Sequence, residues 1–242
     1  MPSEASLKEG EFMTPNKEDY LKVIYQEGAK GAVVSNKVIA GRLGVTPASV
    51  TEMLSKLSRQ GLINYTAYRG STLTTKGVES CLGVVRSHRL WEVFLTRKLG
   101  YSWSEAHEEA HLLEHATPMR MVDRLDEFLE YPEHCPHGAL VPRSVSDHEP
   151  ELLKKLSELS EGEHALIYKV TEEPELLDYL EGIGVQIDEP VTVVKVGKYE
   201  GPITCKLKDE TIQVSYKAAS KIFVAELPKT LDEEPEPAKD AE

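Results

Sequence analysis

Residues 45–59 read Val-Thr-Pro-Ala-Ser-Val-Thr-Glu-Met-Leu-Ser-Lys-Leu-Ser-Arg. Thr46 and Pro47 supply an N-cap hydroxyl and a first-turn proline, so the stretch predicts a helix, and Gly61 is well placed to end it. A shorter amphipathic helix is predicted before Gly44, and two helices joined by a short glycine-containing turn form a helix-turn-helix. The sequence therefore predicts that the first part of the chain folds around a helix-turn-helix.

The hairpin after this helix predicts the wing of a winged helix. Residues 62–67 and 72–74 are expected to be strands, and residues 68–71 the turn between them. A helix of this size fits the major groove of DNA. The candidate base-reading residues are Thr46, Ala48, Ser49 and Glu52, and the candidate phosphate contacts are Lys56, Arg59 and Arg69. The same residues also fit the solvated face of an ordinary three-helix domain, or a winged helix that docks proteins.

Charge is unevenly distributed along the 242 residues. The net charge is −13, but residues 20–90 contain ten Lys/Arg and three Asp/Glu, a net +7, so the rest carries −20. A nucleic-acid partner therefore stays open despite the acidic total. Three cysteines, no long apolar run and no signal-peptide pattern in residues 1–12 predict a soluble cytoplasmic protein. Residues 1–12 are expected to be a leader or an artificial extension.

Residues 107–115, His-Glu-Glu-Ala-His-Leu-Leu-Glu-His, predict a metal-binding helix. His107, His111, Glu114 and His115 fall on one helical face. Imidazoles and carboxylates crowded together suit a divalent transition metal. Because a helix rises ~1.5 Å per residue, His107 and His115 lie about 12 Å apart along the axis, so we predict two ions rather than one.

Two long helices are predicted here, at residues 76–99 and from about Ser104, a candidate N-cap, to Leu129. His88 and Glu92 are one turn apart on the first, and antiparallel packing would bring them to His107. The helices carry more apolar residues than one DNA-binding domain needs, which predicts a homodimer interface, although a closed monomer core is the alternative. These apolar residues include Leu90, Trp91, Phe94, Leu95 and Leu99.

A proline-punctuated loop, Glu133-His-Cys-Pro-His-Gly, follows the second predicted helix. The Cys135 thiolate and the His137 imidazole could reach a metal on that helix. Cys135 could equally be a small buried residue.

Several segments together resemble the diphtheria toxin repressor family, most closely its manganese-responsive branch. They are residues 13–22, 45–54, 88–92, 107–115 and 135–138. The resemblance implies a dimeric, metal-activated transcriptional repressor that binds operator DNA and controls metal-uptake genes.

The resemblance also implies two metal sites per subunit. The primary set is Asp19, His111, Glu114 and His115, with Cys135 and His137 as additional ligands, and the ancillary set is His88, Glu92 and His107. The family usually has cysteine or glutamate where this chain has His111, and iron-responsive relatives have methionine where it has Asp19. A hard carboxylate favours Mn²⁺, whereas Cys135 and His137 favour Fe²⁺, Co²⁺ or Zn²⁺. Mn²⁺ is the predicted metal.

The composition changes after residue 141, and short strands follow that suit a small barrel. This region looks like the SH3-like, iron-transport-A-type domain of such repressors, in which Glu172 and Glu175 are candidate ancillary ligands. The expected fold is mainly α with α+β parts. The predicted segments are a winged-helix DNA-binding domain at 13–75, a helical metal-binding and dimerisation domain at 76–141, a linker with a short helix at 142–160, the SH3-like domain at 161–227 and a disordered acidic tail at 228–242.

Two other functions fit part of the sequence. His107, Glu108 and His111 match the H-E-x-x-H pattern of zinc hydrolases, with Glu108 as the general base. That reading leaves Asp19, His88 and the basic winged helix without a role, so we predict that the chain is not an enzyme. A metal-binding protein-docking module is the third alternative.

Overall fold

The computed structural model describes residues 15–28, 31–147 and 153–227. The chain forms two compact units, residues 1–151 and 152–242. The elements of the first unit are α1 (Pro15–Glu27), α2 (Asn36–Leu43), α3 (Pro47–Arg59), β1 (Ile63–Thr66), β2 (Gly70–Leu73), α4 (Thr75–Phe94), α5 (Trp103–Glu114) and α6 (Met119–Phe128). The predicted leader and the predicted acidic tail lie outside the described residues.

The winged helix forms as its local signals predict. The Thr46 hydroxyl accepts a hydrogen bond from the Ser49 backbone N–H and caps α3, while Gly44 takes the left-handed conformation that ends α2. β1 and β2 pair antiparallel from Ile63↔Leu73 to Thr66↔Gly70. Apolar side chains from α1, α2, α3 and the hairpin pack into one core, which leaves the polar face of α3 in solvent.

Helix α4 connects the winged helix with the metal-binding helices. Its first half supplies Cys81 and Val85 to the winged-helix core. Its second half supplies Leu90 and Val93 to a separate core with α6 and the loop around Cys135. A π-helical turn at Leu95–Leu99 follows α4 and ends at Gly100, which has φ +74°. One helix thus contributes to both cores.

The single long helix predicted from Ser104 to Leu129 is wrong, because the structure has two helices there. α5 ends at Glu114 and α6 begins at Met119. Pro118 lacks an N–H and disfavours helical backbone at Thr117, so the chain turns at this point. The predicted N-cap is also two residues off. Ser102 caps α5 in a capping box with Glu105, and Ser104 lies inside the helix.

The apolar residues predicted for a dimer interface are largely used within the subunit. Leu90 and Leu95 are buried in its cores, and Trp91 and Phe94 pack against them. Only Leu99 of the five is largely exposed. The prediction misjudged these positions because periodicity shows which residues are apolar but not which neighbour covers them.

The second unit is a six-stranded antiparallel sheet with two short helices. Its elements are β3 (Lys154–Lys155), a 3₁₀ turn (Leu156–Glu158), β4 (His164–Val170), α7 (Pro174–Gly182), β5 (Pro190–Val196), β6 (Ile203–Leu207), β7 (Glu210–Val214), α8 (Tyr216–Ala219) and β8 (Ile222–Ala225). The strand order is β3-β8-β4-β5-β6-β7. The short helix expected before residue 160 is only the 3₁₀ turn, and β3 and α8 were not predicted. Among the described residues, no helix is both long and apolar enough to cross a membrane.

A buried carboxylate clamps the last part of the first unit. Asp126 of α6 is fully buried, and its oxygens accept hydrogen bonds from Arg86 of α4 and Arg143 of the following segment, each at 2.7 Å. These ion pairs hold the pKa of the Asp126 carboxyl below its usual value, although burial acts in the opposite direction.

We predict that Asp126→Asn lowers the free energy of unfolding by about 2 to 3 kcal/mol, because it removes the buried counter-charge that Arg86 and Arg143 share. Asp123→Asn is the matched control, since Asp123 also contacts Arg86 but its side chain is 63% exposed. Its cost should stay below about 1 kcal/mol. Urea unfolding followed by circular dichroism measures both, and equal losses would contradict the role of the buried clamp.

Candidate metal centre

Helices α1 and α5 bring four of the predicted ligands together. Asp19, His111, Glu114 and His115 each offer an atom within 4.8 Å of the others. His115 Nε2 lies 2.9 Å from Asp19 Oδ1 and 3.2 Å from Glu114 Oε1, and His111 Nδ1 lies 3.0 Å from Glu114 Oε1. These four residues are called the primary cluster below. It joins the first helix of the winged helix to the end of α5.

Helices α4 and α5 form a second group from His88, Glu92 and His107. Glu92 Oε1 lies 2.8 Å from His88 Nε2 and 2.9 Å from His107 Nδ1. His88 and Glu92 are one turn apart on α4, as their spacing predicts. These residues are called the ancillary cluster below. His107 lies one turn before His111 on α5, and His88 Nδ1 is 2.6 Å from Glu114 Oε2 of the primary cluster.

The loop after α6 places Cys135 and His137 beside the ancillary cluster. His137 Nδ1 is 3.2 Å from Glu92 Oε1, and Cys135 Sγ is 3.9 Å from His137 Nδ1. The loop is closed by Cys135 N–H donating to Ala139 O and by Gly138 N–H donating to Cys135 O. The resemblance had placed both residues with the primary set. The structure instead groups them with Glu92, because the chain turns back toward α4 after Pro118.

The donor set and its burial fit a divalent metal. Glu92 is fully buried, and its Oε2 has no hydrogen-bond partner among the described residues. An unsatisfied buried carboxylate oxygen is costly unless a cation or donor meets it. Imidazole nitrogens, carboxylate oxygens and a thiol are the protein ligands of first-row transition metals. Glu92 would hold an ion at this place either with His88 and His107 or with Cys135 and His137.

Charges within the two clusters keep the carboxylates ionised. Burial alone would raise the pKa of Glu92, but the charges of His137 and His88 outweigh it and hold this pKa well below the usual value. Burial acts likewise on Glu114, and hydrogen bonds to His111, His115 and His88 reverse it, so its pKa is also lowered. Both carboxylates are therefore ready to accept a cation at neutral pH.

His115 carries a raised pKa of about 9, chiefly because of its hydrogen bond to Glu114. The neighbouring carboxylates Glu18 and Asp19 raise it further, and burial partly opposes them. Glu18 was not predicted as part of the site, yet its Oε2 lies 2.7 Å from His115 Nδ1. Because His115 Nε2 contacts Asp19 and Nδ1 contacts Glu18, Glu18 orients the imidazole ring through the nitrogen that lies away from the primary cluster.

Lys22 is a second residue that the sequence did not single out. It lies on α1 one turn after Asp19 and is 6% exposed. Its Nζ is 2.6 Å from Glu114 Oε2 and 3.0 Å from His88 Nδ1. Within the sequence, only its i to i+3 spacing from Asp19 indicated that Lys22 lies on the same helical face as a candidate ligand. Glu172 and Glu175 lie in the second unit and remain predicted ancillary ligands.

The seven predicted DNA contacts are all exposed. They are Thr46, Ala48, Ser49, Glu52, Lys56, Arg59 and Arg69. Thr46 serves as the cap of α3, and Lys56 forms a 2.6 Å ion pair with Glu52 on the helix surface. Arg69 lies in the wing turn that follows β1. The structure thus presents these residues on α3 and the hairpin, and their contacts with DNA remain predictions.

The two histidines of the H-E-x-x-H match lie in different clusters. His107 belongs to the ancillary cluster and His111 to the primary cluster, while Glu108 is exposed. The zinc hydrolase alternative needs both histidines on one ion, and the described geometry does not favour that arrangement.

Comparisons with known proteins agree with the winged helix and with the helical region that carries the two clusters. The family model for the iron dependent repressor N-terminal DNA binding domain matches residues 12–71, and that for the iron dependent repressor metal binding and dimerisation domain matches residues 74–143. The HTH-type transcriptional regulator MntR of Lysinibacillus sphaericus is 32% identical over 153 residues, which are 63% of this chain and 99% of that protein. The chain belongs to the diphtheria toxin repressor family.

Other matches place this diphtheria toxin repressor family member in the manganese branch. A solved manganese-dependent transcriptional repressor in complex with manganese has a TM-score of 0.80 at 32% identity, and the match covers 87% of this chain and all of that one. An HTH-type transcriptional regulator of Methanocaldococcus jannaschii is 37% identical over 121 residues, 49% of this chain and 95% of that protein. The FeoA domain model matches residues 154–226, which confirms the predicted kind of C-terminal domain. The protein is a metal-dependent, DNA-binding transcriptional repressor, not an enzyme.

We predict that the affinity of this repressor for Mn²⁺ rises with pH between 6 and 8. Below its pKa of about 9 the His115 ring holds a proton in the metal-free protein, and a ligand must lose that proton to bind a metal. Affinity should therefore rise by up to about tenfold per pH unit. Calorimetric titration at several pH values measures the slope. His164→Ala, an exposed histidine of the second unit, is the control that should preserve it, and a flat profile would contradict the assignment.

Proposed function

We propose that the repressor is activated by Mn²⁺, binds two ions per subunit, and acts in the cytoplasm as a homodimer on the operators of metal-uptake genes. One observation carries the proposal. Asp19 Oδ1 on α1 lies 2.9 Å from His115 Nε2 at the end of α5, and both residues belong to a cluster that could hold a metal ion. A ligand set that spans the winged helix and the helical part couples metal binding to the position of the recognition helix.

The two clusters support two ions per subunit. The primary ion would be held by Asp19, His111, Glu114 and His115. The second would be held by Glu92, either with His88 and His107 or with Cys135 and His137. Glu172 and Glu175 are kept as additional ligands of the second ion. The division follows from helix geometry, since His107 and His115 are two turns apart.

The chemistry of the primary cluster favours Mn²⁺. Two carboxylates, Asp19 and Glu114, provide hard oxygen donors, which suit Mn²⁺ better than softer ions. Cys135, the donor that favours Zn²⁺ or Co²⁺, lies with the ancillary cluster instead. His111 stands where the family usually has cysteine or glutamate. The primary set therefore contains two imidazoles, those of His111 and His115, beside its two carboxylates. A manganese-bound structure among the similar proteins supports the same choice.

Metal dependence follows from the placement of charge in the primary cluster. Asp19 and Glu114 would share the positive charge that a divalent ion would supply at this cluster. Asp19 then holds α1 against α5 through His115, and α1 carries the winged-helix core with it. Two α3 helices in a dimer would thereby keep the spacing that matches an operator. A bias of ~1.4 kcal/mol toward that arrangement raises operator affinity tenfold.

Exposed apolar side chains around α6 support a homodimer. Leu112, Met119, Met121 and Phe128 are 70%, 49%, 49% and 60% exposed. Exposed apolar side chains favour association, because burying them removes apolar surface from water. The dimerisation surface is therefore proposed at the end of α5 and on α6, rather than at the buried positions of α4.

We expect His115→Ala to abolish the Mn²⁺-dependent shift of an operator fragment, because it removes the ligand that faces Asp19. Gel shifts on the genomic neighbourhood of the gene, with Mn²⁺, Fe²⁺, Co²⁺ and Zn²⁺ titrated separately, measure the response. Glu108→Ala is the matched control on α5, and it should bind as the wild type does. The proposal fails if wild-type binding is the same with chelator as with metal, or if Glu108→Ala removes a hydrolytic activity.

We expect Lys56→Ala and Arg69→Ala to weaken binding of all DNA sequences alike and to reduce the slope of log affinity against log salt by about one each, as phosphate contacts do. Ser49→Ala should instead reduce discrimination against substituted operators, with the salt slope unchanged. Fluorescence anisotropy at several salt concentrations distinguishes the two effects. A salt slope that neither Lys56→Ala nor Arg69→Ala changes would contradict the assigned face.

A further inference from the structure

A buried ammonium group lies between the two metal clusters. Lys22 Nζ is 2.6 Å from Glu114 Oε2, a member of the primary cluster, and 3.0 Å from His88 Nδ1, a member of the ancillary cluster. The side chain of Lys22 is only 8% exposed, and that of Glu114 is fully buried. Lysines are rarely buried to this degree unless they are paired.

The two carboxylate oxygens of Glu114 contact different residues. Oε1 lies 3.0 Å from His111 Nδ1 and 3.2 Å from His115 Nε2, inside the primary cluster. Oε2 lies 2.6 Å from Lys22 Nζ and 2.6 Å from His88 Nδ1. One carboxylate thus contacts members of both clusters, and the ammonium group contacts the same oxygen as His88 does.

A fixed positive charge at this place opposes cations on both sides. Coulomb repulsion between an ammonium group and a divalent ion is strong where water is excluded. Lys22 also occupies Glu114 Oε2, which limits the oxygens that an ion at the primary cluster can share. A purely structural ion pair would stabilise the fold without either effect, so the two roles make different predictions.

We infer that Lys22 sets the metal affinity of the centre: its ammonium group supplies Glu114 with a counter-charge in the metal-free protein and weakens divalent-ion binding at both clusters. This inference rests on the proposed metal-activated function. It assigns Lys22 a role in the threshold concentration at which the repressor responds, with Asp19 and His115 holding the ion itself.

The test is calorimetric titration of the full chain with Mn²⁺, together with thermal unfolding with and without the ion. Lys22→Met should raise the affinity of the primary site by about tenfold or more, because the repelling charge is gone. It should also lower the melting temperature of the metal-free protein and enlarge the increase that Mn²⁺ produces. Lys22→Arg keeps the charge and should stay within about threefold of the wild-type affinity.

Two further variants complete the experiment. Lys37→Met removes an exposed lysine of α2 and should leave Mn²⁺ affinity unchanged. Lys22→Gln keeps a hydrogen-bond donor for Glu114, so it tests the charge even if Lys22→Met does not fold. Unchanged or weaker Mn²⁺ binding by folded Lys22→Met or Lys22→Gln would overturn the inference. Failure of the wild-type chain to bind Mn²⁺ would instead overturn the proposed function, which keeps the two failures distinct.

Discussion

The contact between Asp19 and His115 joins two parts of the first unit that have separate hydrophobic cores. The winged-helix core and the core around Cys135 share α4, whose two halves contribute to one each. A second connection, made by polar ligand groups between α1 and α5, limits how α1 can tilt against that shared helix. Apolar packing is non-directional, whereas metal and hydrogen-bond ligands require particular distances. The polar contact between α1 and α5 therefore adds a directional constraint to the non-directional packing of the cores.

The spacing along α5 divides the candidate metal ligands between two clusters that also differ in their donor atoms. Positions 111, 114 and 115 form one turn and meet the carboxylate of α1, while position 107 meets α4. The thiol of Cys135 reaches only the α4 side. The cluster that includes α1 thus has two carboxylates and no thiol, whereas the thiol lies beside the other cluster. If the proposed two ions bind, this difference in donors would give the two sites different metal preferences.

The features that the sequence predicted well are local ones. The cap at Thr46, the β1–β2 hairpin and the His88–Glu92 pair each depend on residues within a few positions of one another. The predicted helix through Pro118 was wrong because its apolar periodicity continues into α6 and masks the break. Cys135 and His137 were placed in the wrong cluster because their position depends on the path of the chain after that break. Lys22 could not be distinguished from a surface lysine, since its burial depends on α4 and α5.

The residues of the primary cluster are brought together over long distances in the chain. Asp19 and His115 are separated by 96 positions in sequence. An unfolded chain cannot hold them near one another at acceptable entropy, so the complete cluster exists only in the folded protein. A ligand that binds only the folded state stabilises it by an amount that grows with the logarithm of its free concentration. Metal supply would then govern how long each repressor molecule survives proteolysis, in addition to how tightly it holds its operator.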